Sequence, residues 1–251
     1  MTGPGGLFDD FAVATALLTR LPVGAPPPAP GRLAEAAWAF PAVGVGVGAI
    51  AALVFVIAQL LGCGDWPSSL LSVLAGLGLT GALHEDGLAD TADGFGGGHD
   101  RDTKLAIMRD SRHGSFGVLA LVASVSLRAA ALATIGEAVH AALALVAAHA
   151  VSRALLPVAM RVLPRARSDG MGAAAGRPGR GVAAVAAALG AGAALATLGP
   201  ERGAAALLLA AAAVSATAAL ARRQIGGYTG DVLGAFQQIG EIVILLAAAA
   251  K

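Results

Sequence analysis

Seven stretches of this chain are long and apolar enough to cross a lipid bilayer, and that restricts its fold more than any other feature. A spanning helix takes about 20 mainly apolar residues. Such runs occur at Trp38–Leu61, Ser68–Leu83, Phe116–Ile135, Ala138–Leu163, Gly181–Leu198, Gly203–Ala221 and Val232–Ala250. The second is short, and Glu241 interrupts the last. Composition agrees: 57% of the 251 residues are hydrophobic and 13% charged, with a mean hydropathy of +0.75. Soluble domains carry roughly 25% charged residues, so a soluble globule, a disordered chain and a nucleic-acid binder are all excluded. The 35 glycines and abundant alanines suit close helix–helix approach in lipid. The expected fold is all-α: a polytopic integral membrane helical bundle of about seven transmembrane helices, forming one domain over residues 1–251.

Residues 1–37 precede the first span. Leu7–Leu21 is apolar on one side, with Asp9, Asp10 and Arg20 on the other, as in a helix lying in the membrane interface. Pro22 and the run Pro26–Pro30 are expected to end it. No positively charged start followed by an apolar run, the mark of a secretory signal, opens the chain. Cys63 stands alone, so there is no disulfide framework. The net charge of +1 gives no field to steer an anionic partner.

Lys and Arg concentrate on the cytoplasmic side of short loops. Here they alternate. Arg20 and Arg32, the segment 84–115, the loop from Arg161 to Arg180, and Arg222 with Arg223 carry nearly all the positive charge; the intervening turns near Gly62, Gly136 and Pro200 carry almost none. The expectation is a cytoplasmic N-terminus.

The polar chemistry collects between His84 and Ser115. Seven acids and four bases lie there, a third of all the charged side chains. Asp86, Asp90 and Asp93 stand at i, i+4 and i+7, within a sector of roughly 60° on a helix. Like charges at that spacing repel, and a divalent cation would turn the repulsion into binding. Oxygen-only ligands favour magnesium, manganese or calcium over softer metals. A solvated acidic loop is the plain alternative. Gly94–Gly98 could let backbone amides approach a phosphate or be ordinary loop. Arg109 and Arg112 could grip an anion or anchor the next span. Asp231 could cap the last helix or add an oxygen to the cation. Inside the spans Arg128, His140, His149, Arg153 and Glu241 are costly in hydrocarbon and are functional candidates for that reason, although His140, Arg153 and Glu241 stand near enough to span ends to snorkel or pair, and a packing role fits His149.

Four motifs then carry a resemblance. Leu83-His84-Glu85-Asp86-Gly87-Leu88-Ala89-Asp90-Thr91-Ala92-Asp93-Gly94 resembles the signature of the cobalamin synthase family, the adenosylcobinamide-GDP ribazoletransferases. Similar to that family too are Arg109-Asp110-Ser111-Arg112 with Gly114 and Phe116–Leu121, Gly226-Gly227 with Thr229-Gly230-Asp231, and Leu18–Val23 with Phe40-Pro41. Glu85, where an apolar residue often occurs, and Gly176–Gly181 depart from the pattern. The resemblance implies a bacterial inner-membrane enzyme, active on the cytoplasmic side, that joins α-ribazole (or its 5′-phosphate) to adenosylcobinamide-GDP and releases GMP with Mg²⁺. It implies catalytic Asp86, Asp90 and Asp93, joined by Asp231 as metal ligands. It also implies substrate contacts from His84, Gly96, Gly97, Arg109, Asp110, Ser111, Arg112 and Thr229. Homo-oligomerisation and association with other cobalamin-assembly enzymes stay open. Asp90-Thr91-Ala92-Asp93-Gly94 also has the DxxDG form that begins the CDP-alcohol phosphotransferase motif; the rest of that motif is absent, so the likeness is one of chemistry. A transporter would place its charges at mid-membrane on repeated, interrupted helices. No internal repeat is visible, and the acids gather at one edge.

Overall fold

The computed structural model describes residues 6–24 and 31–250; the run Pro26–Pro30 lies outside them. Among the described residues there is no strand, only an isolated bridge between Arg165 and Tyr228. The helices are α1 (Leu7–Leu18), α2 (Arg32–Ala36), α3 (Phe40–Leu60), α4 (Asp65–Thr80), α5 (Leu83–Gly97), α6 (Arg101–Ile107), α7 (Ser115–Ile135), α8 (Ala138–Val162), α9 (Met171–Ala174), α10 (Arg180–Leu198), α11 (Pro200–Ile225) and α12 (Gly230–Ala249).

Six segments are long and apolar enough to cross a membrane: α2 running into α3, then α7, α8, α10, α11 and α12. The protein is a multi-pass membrane helical bundle. The expected second span ends in a bend. α4 runs unbroken through most of Ser68–Leu83 and then meets α5 at 92°; counted as one broken span, the pair brings the candidate crossings to the seven expected. The bend is made by two successive left-handed residues, Gly81 (φ 65°) and Ala82 (φ 54°). For Ala that conformation costs roughly 1–2 kcal/mol, and such strain persists only where its surroundings impose it. The segment after α1 supplies part of the constraint, since Arg20 N–H donates to Leu79 C=O at 2.8 Å.

The N-terminal helix forms as expected but stops at Leu18, ahead of Pro22, where Thr19 turns extended. Leu7 and Phe8 at its start look outward, Phe8 91% exposed, while Val13, Ala14 and Leu18 pack into the core. Asp10 is buried too; it accepts from Trp38 Nε1 at 2.7 Å and pairs with Arg32. The helix is thus pinned to the bundle by a carboxylate rather than lying free with all its acids in water.

The small residues explain how the bundle closes. On α3, a Cβ added to Gly48 would stand 2.7 Å from Leu145 C=O on α8, so only glycine lets those backbones meet. α8 is the most buried span, and α12 packs beside it. The positively charged loops collect at one end: Arg101 binds Ala166 C=O and Ile225 C=O, and Arg109 binds Asp169. At the other end Gln59 donates to Gly136 C=O and to Asp65. The alternation of charge along the chain is therefore a division in space.

Candidate active site

Two glycines assemble the site. A Cβ on Gly87 of α5 would stand 2.7 Å from Asp231 C=O on α12, and one on Gly234 would stand 3.0 Å from His84 C=O. With neither side chain in the way, α5 lies directly on the first turns of α12, which brings Asp86 and Asp90 beside Asp231. Asp90 lies midway along α5, outside the six unbroken spans, with its carboxylate 4.0 Å from His113 Nδ1. Partial burial first, then the charges of Asp86 and Asp231, push its carboxyl up to about 6. Three carboxylates from two helices thus share one locality. Arg167 brings a cation to them: its Nη2 donates to Asp231 at 3.3 Å.

Asp93 has another role. Its Oδ2 accepts from Gly114 N–H at 2.7 Å and its Oδ1 from Gly117 N–H at 2.8 Å. It therefore caps the start of α7, where four amides lack helical partners. Asp231, weighed as a cap for α12, is not one: Thr229 Oγ1 accepts from Val232 N–H at 3.3 Å, and Asp231 sits in the first turn. The glycine run is not an open loop either. It forms the last turn of α5 through Gly97, and Gly96 carries no side chain because the ring of Phe116 presses on it. Arg112 is 88% exposed and closed on Asp110 at 2.6 Å. Ser111 is exposed beside it. Arg109 pairs with Asp169 at 2.6 Å.

Between α5, α12 and the loop after α8 lies a cavity of ≈ 150 Å³. His84, Asp86, Arg167 and Asp231 supply its polar wall, and Leu18, Phe40 and Met160 part of its apolar one. His84 is 4% exposed. A small set of convergent polar groups in an apolar recess is the usual form of a ligand site.

Beneath this cavity runs a buried polar network. Arg128 Nη1 donates to Glu85 Oε1 at 2.9 Å and to Glu241 Oε1 at 3.0 Å. Gln238 Nε2 donates to Glu85 at 3.0 Å, and Gln237 Nε2 to Glu241 at 2.6 Å. His149 Nδ1 stands 3.1 Å from Glu241, and Arg153 Nη1 binds His149 C=O. Two carboxylates and two guanidiniums thus balance inside the bundle and tie α5 to α7, α8 and α12. His149 is the packing histidine expected. Arg153 and Glu241 are buried rather than snorkelling, and His140 is exposed against Glu137. Arg167 and Glu85 received no role from sequence reasoning. Arg167 was one arginine among several in a positive loop; the sign for Glu85 was its charge at a position adjoining Asp86.

The sequence profile of the cobalamin-5-phosphate synthase family matches residues 10–249. The chain belongs to this family. It is 51% identical to the adenosylcobinamide-GDP ribazoletransferase of Bradyrhizobium diazoefficiens, over 96% of this chain and 93% of that protein. Identity to those of Mesorhizobium japonicum and Azorhizobium caulinodans is 45% and 44%, covering 98% and 96% of this chain and 94% and 95% of theirs. No solved structure matches the chain. As a member of the cobalamin-5-phosphate synthase family, the protein is a transferase, and the resemblance drawn from its four motifs holds over nearly its whole length.

A hard cation is expected of this family member, and the donors can be tested against it. Among the described residues, no three His, Cys, Asp or Glu side chains stand within reach of one ion. Magnesium does not require that. It is held by one or two carboxylates together with waters and substrate phosphates. Asp86, Asp90 and Asp231 offer oxygen donors whose mutual repulsion Arg167, bound to Asp231, offsets only in part, and this donor set fits the ion.

Proposed function

We propose that this protein carries out the last assembly step of the cobalamin nucleotide loop. The 3′-hydroxyl of α-ribazole, or of its 5′-phosphate, attacks the phosphorus joined to cobinamide in adenosylcobinamide-GDP. The bond to the second phosphate breaks, and GMP leaves. The observation that carries this reading is the meeting of Asp86, Asp90 and Asp231 at one edge of a membrane bundle belonging to this family.

Phosphoryl transfer is catalysed mainly by positioning and by electrostatic stabilisation. Asp86, Asp90 and Asp231 would hold magnesium, which neutralises charge building on a diphosphate. Asp93 fixes the end of α5 against α7, so that the carboxylates on α5 keep their place. The apolar wall of the cavity excludes water that would compete with the ribazole hydroxyl. The site faces the cytoplasm in this account, since the positively charged loops surround it, and the bilayer is the bacterial inner membrane.

Purified protein in detergent should form GMP only when adenosylcobinamide-GDP and α-ribazole (or its 5′-phosphate) are both supplied with Mg²⁺. Chelation should stop it, and Mg²⁺ should restore it. GMP formation without the ribazole substrate, at the same rate, would make the protein a hydrolase and overturn the reading.

A further inference from the structure

We propose that the open groove beside the cavity is the subsite for the guanosine monophosphate half of the substrate, with Arg167 at its inner end gripping the diphosphate. This rests on the function proposed above and gives that substrate a place.

The groove, ≈ 440 Å³, runs between α6 and the loop after α8. Its walls carry three guanidiniums, those of Arg101, Arg109 and Arg167, and two carboxylates, those of Asp102 and Asp169, over a floor that includes Leu105. The walls are held in place. Arg101 is clamped on Ala166 C=O and Ile225 C=O, and the backbones of Ala166 and Tyr228 bind each other.

Arg167 lines both the groove and the cavity. One of its terminal nitrogens, Nη2, donates to Asp231. The other, Nη1, is buried and has no hydrogen-bond partner among the described residues. Buried donors are nearly always satisfied, and one left over calls for an explanation. A guanidinium presents donors in a fork that matches phosphate oxygens. With one nitrogen on the acidic cluster, its neighbour is left to serve a further oxygen at the same junction, and a phosphate oxygen matches its charge. The phosphorus under attack then lies on the Asp86 and Asp231 side, and the departing monophosphate on the side of Arg109. Guanine carries N–H groups that a carboxylate accepts, and Asp102 and Asp169 supply acceptors along the groove. Adenine has an exocyclic amine but no ring N–H beside it, so it cannot make the paired contact to a carboxylate.

The test is GMP binding to the full-length protein in detergent, by titration calorimetry, with AMP as the comparison. Wild type should bind GMP about tenfold or more tightly than AMP. Arg167→Ala should weaken GMP by about tenfold or more, and Arg167→Lys should recover part of the loss. Asp102→Asn, at a solvent-exposed position, should narrow the GMP-to-AMP ratio. His140→Ala, at the opposite end of the bundle, should bind as wild type does. In steady-state assays Arg167→Lys should raise KM for adenosylcobinamide-GDP and leave KM for the ribazole substrate unchanged. GMP binding as tight in Arg167→Ala and Arg167→Lys as in wild type would overturn the subsite while leaving the reaction standing. Wild type that neither binds nor releases GMP would overturn the proposed function itself.

Discussion

Asp90→Asn should lower turnover by at least about 100-fold, because removing one electrostatic stabiliser of a transition state costs roughly 10²–10³ in rate. The same substitution should not harm the fold. The carboxyl of Asp90 ionises near 6, against an ordinary 3.8, because burial and the charges of Asp86 and Asp231 oppose the anion. A folded-state value raised above the unfolded one means that the native state binds the proton more tightly. Its charged form therefore subtracts stability as pH rises from about 4 through 6. Asparagine removes that penalty, so without metal the variant should melt above wild type at pH 8 and with it at pH 4. Turnover that falls together with melting temperature at pH 8 would contradict this assignment. The same titration sets the metal requirement of wild type. Below about pH 6 a proton competes for Asp90, and the Mg²⁺ concentration giving half-maximal activity should climb.

Arg128→Met should be the most destabilising single change, by about 3–5 kcal/mol, the usual cost of removing one partner from a buried ion pair. Arg128 is 3% exposed and is the guanidinium that Glu85 and Glu241 share. Without it Glu85 keeps only its bond from Gln238. Because Glu85 adjoins Asp86, the loss should also loosen α5 over α12 and so reduce activity. Replacing Glu85 by Gln in the Arg128→Met background should return part of the stability, since it removes the uncompensated charge. Denaturant unfolding in detergent measures both. Equal stability of Arg128→Met and wild type would show that the network contributes nothing to holding α5.

How far the sequence foretold this arrangement depends on whether the controlling contacts are local. Hydropathy located α3, α4, α7, α8, α10, α11 and α12, since each is a continuous apolar run. The break between α4 and α5 escaped it, because it arises from backbone conformation at Gly81 and Ala82, and Ala82 gives no sign of a left-handed turn. Helical spacing put Asp86, Asp90 and Asp93 on one stripe. It could not show that the amides of Gly114 and Gly117, on a different helix, engage the third of them. Gly94–Gly98 suited a phosphate cradle or an ordinary loop because glycine both permits turns and permits close packing, and only the positions of Met108 and Phe116 show that most of it packs as a helix end. Arg167 was indistinguishable from its neighbours until Asp231 came to face it. The family motifs identified the chemistry at once, since such patterns record tertiary contacts that periodicity does not.

In the proposed mechanism, carboxylates from α5 and α12 together hold a hard cation. Manganese accepts the same oxygen ligands and is visible by electron paramagnetic resonance, so its binding to the purified protein tests the claim without any turnover. Wild type should show a saturable site that weakens sharply in both Asp90→Asn and Asp231→Asn. Binding in those two variants as tight as in wild type would contradict it.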